Sequence, residues 1–578
     1  MGLKPSLLLA LASSLAAVAS PTVPPRQPAT VDYVIVGGGP AGFVIAEYLT
    51  RKPSVTVTLL EAGADMDPNP LVSTPAKFAE NPGGLWMFFS EPEPNLGGRT
   101  PDLGQGYALG GGSAINAMIY CRGSASVFDE WARVSGNPRL SWNGGMLDAF
   151  KATSSWKDEA TITYNQPVNA SVFGNGPLQV SRQRELFAVD QPLVNTLQST
   201  LGLPQVDFAS GPGIGVSQGI NTIRASNRTR SYAYNTFGFI ANSRPNFKLL
   251  PNALVSKIGF TGTRADRVIY NDTATNTMKT IRGREIIVAA GAVKSPQLLM
   301  LSGVGPAAQL NALGIPVVKN VPQIGQNLVD HHNSVVSFAV TPAQKSLWQY
   351  QYNATVKTEA DAAYLNNGNG ILGAQWGDAF ACLRLPDAAF NGVNGTFFKN
   401  LPADRPHVAY EYIGAGVIAG AANVSSVSAW VGLIQPEAAG NVTLKTANYL
   451  DHPTIHANYF GSPADKAAVM YGYKQLRSIM KADALKPLLT HEIFPGEGVT
   501  SDADIWKAIQ TSARSWHHPV GTVALGTVLD ANWRVKGLQG LRVVGSPAMP
   551  YISTCPIQST VYAAAHVAAK DIVAADQR

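Results

Sequence analysis

The sequence predicts an α/β fold in which a dinucleotide-binding domain built on a parallel sheet is interleaved along the chain with an α+β domain carrying an antiparallel sheet. Three observations carry that expectation. A β-branched run, a glycine signature, a helical stretch and a second strand follow one another between Val31 and Glu61. Four later stretches, 335–340, 407–413, 427–433 and 441–444, alternate or run β-branched as strands do. Finally, 578 residues exceed one comfortable hydrophobic core, so two associated domains are expected.

The first element begins at the apolar run 31–36, which has the character of a buried parallel strand and leads directly into Gly37, Gly39 and Gly42. In this G-x-G-x-x-G, the first glycine permits the tight turn and the second lets a pyrophosphate approach the backbone. The third lets helix and strand pack closely. A helix over 43–49, a strand over 55–60 and Glu61 complete a Rossmann-like βαβ unit. The acid falls 19 residues after Gly42, where it can accept hydrogen bonds from an adenosine ribose.

Composition narrows the class. A chain that is 45% hydrophobic and 14% charged, with 55 glycines and 39 prolines, reads as a loop-rich globular enzyme and excludes coiled coil and disorder. Net charge is +6 without any Lys/Arg run, so no nucleic-acid partner is expected. Lys4, the apolar stretch 7–18 and the small-x-small end Ala17-Val18-Ala19 read as a signal peptide over 1–19, which places the protein in the secretory pathway. No later segment has the roughly 20 apolar residues of a membrane span. Sequons at Asn169, Asn227, Asn271, Asn353, Asn394, Asn423 and Asn441 fit the same route, as glycosylated surface loops. Cys121, Cys382 and Cys555 allow one disulfide at most, and each reads first as a small buried hydrophobe. No Cys/His cluster has metal-ligand spacing, so no metal is expected.

Two further segments carry a family resemblance. One is Gly106-Tyr107-Ala108-Leu109-Gly110-Gly111-Gly112-Ser113-Ala114-Ile115-Asn116, a glycine-rich loop whose amides can lie against a flavin and its phosphates. The other runs from Gly291-Ala292-Val293-Lys294-Ser295-Pro296 to Gly305, a turn and helix that follow a buried strand. Both resemble the signatures of the glucose-methanol-choline (GMC) oxidoreductase family, as does the segment 321–331. The resemblance implies FAD, with Gly37, Gly39, Gly42, Glu61, Leu109, Gly110, Ser113, Asn116, Ala117, Val255, Ser546, Pro547 and Gln558 at the cofactor. Some relatives attach flavin through a histidine that falls at Ile115, so the resemblance implies noncovalent FAD here. Tyr107 departs from the family's usual basic or small polar residue.

The same resemblance places a catalytic histidine at His518, in Ser515-Trp516-His517-His518-Pro519-Val520-Gly521-Thr522. Moving hydride from an alcohol carbon to flavin N5 requires the hydroxyl proton to leave, and an imidazole is suited to accept it. The family's second catalytic His or Asn falls at Pro556, which has no side-chain donor or acceptor. His517, Thr554 and Cys555 are the candidate substitutes beside the substrate. His331, His332 and His566 read as packing residues. The implied activity is oxidation of an alcohol group on a small organic molecule, in secondary metabolism, with oxygen or another electron acceptor closing the cycle. The alternative is non-redox use of the same fold as a cyclase, dehydratase or lyase, suggested by Pro556. An FAD-binding domain is expected over 30–335, with a substrate-domain insertion at 151–214. The substrate domain follows over 336–519 and the chain returns to the first domain at 520–578, as a monomer or homodimer.

Overall fold

Val31–Val36 and Val57–Leu60 lie side by side in a parallel sheet, joined by the helix Pro40–Leu49. Both strands are almost wholly buried, as continuous β-branched and leucine runs require when both faces of a sheet are covered. In this computed structural model the residues described are 30–80, 83–158, 167–342, 344, 346–375, 377, 379–417 and 424–576. The expected signal peptide and Asn423 lie outside them.

The parallel sheet runs Phe247–Leu250, Val57–Leu60, Val31–Val36, Thr277–Val288, and Leu541–Val543 is added on the far side of Thr277–Val288. Thr277–Val288 is shared between two arrangements. Its second half pairs parallel with Val31–Val36, and its first half pairs antiparallel with Arg264–Asp272, which continues to Ala253–Thr261. The closing helix Gln558–Asp576 packs on Pro40–Leu49. Its buried alanines 563, 564, 565, 568 and 569 permit that approach, and His566 sets its ring edge against Tyr48 at 5.3 Å.

The second sheet is antiparallel, in the order Leu489–Phe494, His332–Val340, Ser426–Leu433, Val408–Ile413, Ala379–Leu383, Gly215–Gln218. Strand alternation divides its faces. Val408, Tyr410 and Tyr412 join a core with Tyr473, Leu476 and Ile479 of the helix Pro463–Met480. Phe380, Cys382 and Ala409 face the other way, toward Cys121, Cys555 and Trp516. The edge strand at Gly215 lies outside the expected substrate-domain segments, and the long strand His332–Val340 begins four residues before the second of them. Gly440–Thr443 leaves this sheet and pairs instead with Gln326–Leu328 and Thr454–His456. Its alternating burial marks a strand but carries no information about its partner.

Two cysteine expectations change. Cys121 and Cys555 form a disulfide across 434 residues of sequence, whereas Cys382 stays a free, buried thiol. The sequons divide as well. Asn169, Asn227, Asn353 and Asn394 are exposed, and Asn441 is half-buried in a strand. Asn271 is no surface-loop acceptor, because it is buried in the Arg264–Asp272 ladder and its amide donates to Asn276 Oδ1 at 3.1 Å. Among the described residues no helix is long and apolar enough to cross a membrane.

Candidate active site

A cavity of about 600 Å³ runs between the parallel sheet and the antiparallel sheet. Its floor is the glycine turn. Gly37 has φ +109°, and a Cβ there would lie 2.5 Å from the Ala289 carbonyl oxygen. At Gly42 a Cβ would lie 2.0 Å from Gly37 O, which is the helix–strand contact that the third glycine serves. Gly39 caps the following helix without a side-chain acceptor, so the first amides of Pro40–Leu49 remain available to a phosphate.

Nine of the expected cofactor residues line the cavity: Gly37, Gly39, Glu61, Ser113, Asn116, Ala117, Val255, Ser546 and Gln558. Glu61 accepts from the amides of Gly38 (2.7 Å) and Gly63 (2.9 Å), and burial pushes its carboxyl up to about 7. Gln558 donates to Ile119 O at 2.6 Å and leaves Oε1 buried without a donor, an acceptor awaiting a ligand. Leu109, Gly110 and Pro547 do not reach the cavity and act one layer behind it. Leu109 is buried in the core with its amide on Ala64 O, Gly110 N–H donates to Gly38 O at 2.7 Å, and Pro547 O accepts from Val523 N. Gly42 is likewise a packing residue. The loop 113–116 is tied down by a residue that no motif marked, Arg230, wholly buried and donating to Val72 O, Ser113 O, Asn116 O and Asn116 Oδ1. Tyr107 sets its ring edge against Trp86, centroids 4.4 Å apart.

At the other end, Asp330 organises the histidine loop. Its Oδ1 accepts the His518 amide at 2.8 Å, and its Oδ2 accepts the hydroxyls of Ser515 and Tyr459. Ser515 Oγ in turn accepts the His517 amide at 2.6 Å. His517 has φ +60°, a left-handed backbone costing a non-glycine residue on the order of 1 kcal/mol, and it turns the chain so that Trp516, His517 and His518 all face the cavity.

His518 Nδ1 lies 3.0 Å from His331 Nδ1, ring to ring at 88°. His331 was expected only to pack; it is the direct partner of the candidate base. Burial holds both rings neutral, pushing His331 down to about 3 and His518 well below the ordinary histidine value. The carbonyls of Ser553 and Ile434 near His331 favour a proton on its ring, although its Nε2 makes no hydrogen bond among the described residues. His332 is buried, stacked on Tyr459 at 4.4 Å, and packs as expected.

Of the candidates near Pro556, the structure keeps one. His517 and Pro556 line the cavity. Thr554 does not: its hydroxyl accepts the Ser124 amide at 2.7 Å and lies 2.9 Å from Ser124 Oγ, so its polar capacity is used in tying two loops together. Cys555 is consumed by its disulfide.

A dinucleotide cradle on a parallel sheet, faced by a second sheet and closed by a neutral histidine pair in which His331 is buried and His518 half-buried, marks a flavin oxidoreductase. The family model for GMC oxidoreductases matches residues 31–333 with its N-terminal domain and 436–565 with its C-terminal domain. The chain is 32% identical to patulin synthase of Aspergillus clavatus, over 95% of this chain and 92% of that one. It is also 32% identical to an oxygen-dependent choline dehydrogenase of Pseudomonas fluorescens, over 90% of each. An FAD-dependent oxidoreductase from Chaetomium thermophilum superimposes with a TM-score of 0.85 at 28% identity, covering 95% of this chain and all of that one. The chain belongs to the GMC oxidoreductase family and is an FAD-dependent oxidoreductase of the class that acts on alcohols.

Proposed function

We propose that this enzyme oxidises an alcohol group of a small organic molecule, with His518 as the acceptor of the hydroxyl proton. The observation that carries the proposal is the 3.0 Å contact between the Nδ1 atoms of His331 and His518. Two neutral imidazoles can share that contact only if one donates and the other accepts. With the His331 proton assigned to Nε2, an atom that makes no hydrogen bond of its own among the described residues, Nδ1 is left as the acceptor. His518 then carries its proton on Nδ1 and presents a bare Nε2 to a substrate hydroxyl in the cavity. Once Nε2 takes the proton, His331 Nδ1 stabilises the imidazolium by accepting a charge-assisted bond. Bound FAD supplies the acceptor for the hydride that leaves the alcohol carbon, and oxygen or another acceptor closes the cycle.

Ile115 lines the cavity and has no nucleophilic atom, which supports noncovalent attachment of the flavin. The signal sequence, the exposed sequons and the disulfide support a secretory route. Likeness to a fungal synthase supports a substrate from secondary metabolism. The test is anaerobic mixing of the holoenzyme with a panel of alcohols. Bleaching of the oxidised flavin band is expected, and it should slow by about 10²- to 10⁴-fold in His518→Ala. An unchanged rate in that variant would remove His518 from the chemistry.

Pro556 favours a second reading, in which the enzyme works as a cyclase, dehydratase or lyase. The cavity wall at the family's second catalytic position offers no donor to a substrate oxygen. That reading predicts a product at the substrate's oxidation level and a flavin that stays oxidised throughout turnover.

A further inference from the structure

Beside the histidine loop, the antiparallel sheet sets a second group of polar side chains into the cavity. Glu411 of Val408–Ile413 and Trp430 of Ser426–Leu433 are direct cross-strand partners, and both line the cavity. Glu411 is 8% exposed, and among the described residues its carboxyl has neither a hydrogen-bond nor an ion-pair partner. Burial alone pushes it up to about 8, so at neutral pH it is a carboxylic acid, donor and acceptor at once. Trp430 Nε1 is buried without an acceptor among the described residues. Gln375, 2% exposed and lining the same cavity, holds Oε1 buried without a donor among the described residues.

The sheet fixes the separation of Trp430 from Trp516, the neighbour of His518 in the cavity. Trp516, whose ring lies 6.5 Å from that of His518, rests on Gly432, where a Cβ would come within 2.1 Å of the indole. Trp430 is two residues back along the same strand and on the same face, so it lies roughly 7 Å further on. The two indoles border that interval, offering a rigid aromatic wall to a flat ring.

The unmet groups define what would meet them. Trp430 N–H needs an oxygen that accepts, and Gln375 Oε1 needs a proton that is donated. One hydroxyl does both, and the Glu411 carboxyl can act in either sense toward it. A quaternary ammonium offers Trp430 no acceptor, and the Arg514 guanidinium on the same cavity opposes a cation. We propose that Glu411, Trp430 and Gln375 form a second subsite that binds a hydroxyl remote from the one oxidised, making hydroxylated aromatic alcohols the preferred substrate class. The inference rests on oxidation at His518 for the identity of the reacting end.

Binding separates it from that reading. The oxidised holoenzyme is titrated with 4-hydroxybenzaldehyde and with benzaldehyde, and Kd is read from the perturbation of flavin absorbance. The hydroxylated ligand should bind about tenfold tighter. Glu411→Leu should bring the ratio near one, Glu411→Gln should keep most of it, and Trp430→Phe should reduce it several-fold. Equal Kd values in the unaltered enzyme, or a preference that survives Glu411→Leu, would overturn the subsite. In parallel, flavin reduction is followed with 4-hydroxybenzyl and benzyl alcohol. No reduction by either, with the Kd ratio intact, would overturn oxidation at His518 and retain the subsite.

Discussion

Replacing His331 by phenylalanine keeps a buried ring of similar size and deletes the nitrogen that faces His518. Two consequences follow from the 3.0 Å Nδ1–Nδ1 contact. A His518 Nδ1–H left in this buried place without an acceptor costs about 1–3 kcal/mol, and the ring escapes that cost by moving its proton to Nε2. Nε2 is then no longer a base. At 1.36 kcal/mol per factor of ten, the reactive tautomer falls by about 5- to 150-fold, and the limiting rate of flavin reduction should fall with it. Substrate affinity should hold, because an Nε2–H still makes a hydrogen bond to the hydroxyl. His331→Asn returns an acceptor near the lost nitrogen and should recover most of the rate. The assay is stopped-flow reduction over a range of substrate concentration, with flavin content and thermal unfolding checked in each variant. The pH profile adds a check on the unaltered enzyme. Burial holds His518 well below the ordinary histidine value, so its rate should stay level as pH falls through 6.5 and decline only below it. An unchanged limiting rate in His331→Phe, or an asparagine variant as slow as the phenylalanine one, would refute this account of the pair.

Acid precipitation should release the flavin into the supernatant, because Ile115 cannot bond it; a yellow pellet would contradict noncovalent attachment. Peptide mapping without reduction should recover Cys121 joined to Cys555 and Cys382 free. Replacing both bridged cysteines by serine removes a closure over 434 residues, for which chain entropy gives an upper value of about 6 kcal/mol, so the melting temperature should drop by up to about 5 °C. Glu411 has a folded value raised to about 8 against about 4.5 when unfolded, so its contribution is complete below pH 4.5 and is lost as pH rises toward 8. Glu411→Gln removes that dependence. Its stability relative to the unaltered protein should therefore improve by about 1.4 kcal/mol per pH unit between 5 and 8, and a difference that stays flat across that range would count against a buried, unpaired acid.

What could be read in the chain divides along physical lines. The βαβ unit at Val31 to Glu61 was legible because backbone demands at Gly37 and Gly42 are local and admit one residue type. His518 was legible because its motif is contiguous. His331 was present in a quoted segment but had no signal of its own, since its meaning depends on meeting a loop 187 residues away. Arg230 and Asp330 share that character: each is an anchor whose partners come from distant parts of the chain. Thr554 and Cys555 failed as substrate contacts for the converse reason. Proximity in sequence to Pro556 put them near the cavity, but Ser124 and Cys121 had already taken their polar or sulfur atoms. Glu411 alternates correctly in a strand, yet alternation alone does not say which face meets the cofactor domain.

The interleaving of the two domains also dictates an order of events during synthesis. Val31–Val36 is the central strand of its sheet, but one neighbour, Thr277–Val288, is translated some 250 residues later, and Leu541–Val543 is the last strand among the described residues. At roughly 5–20 residues per second, about half a minute to two minutes separates the emergence of Val31 from that of Leu541. Through that interval the nascent amino-terminal unit exposes an unpaired apolar edge, and the Cys121 thiol has no Cys555 to meet. The cofactor domain therefore closes only once the helix Gln558–Asp576 has left the ribosome and docked on Pro40–Leu49, and a chain truncated before that helix is a client for chaperones rather than a partial enzyme.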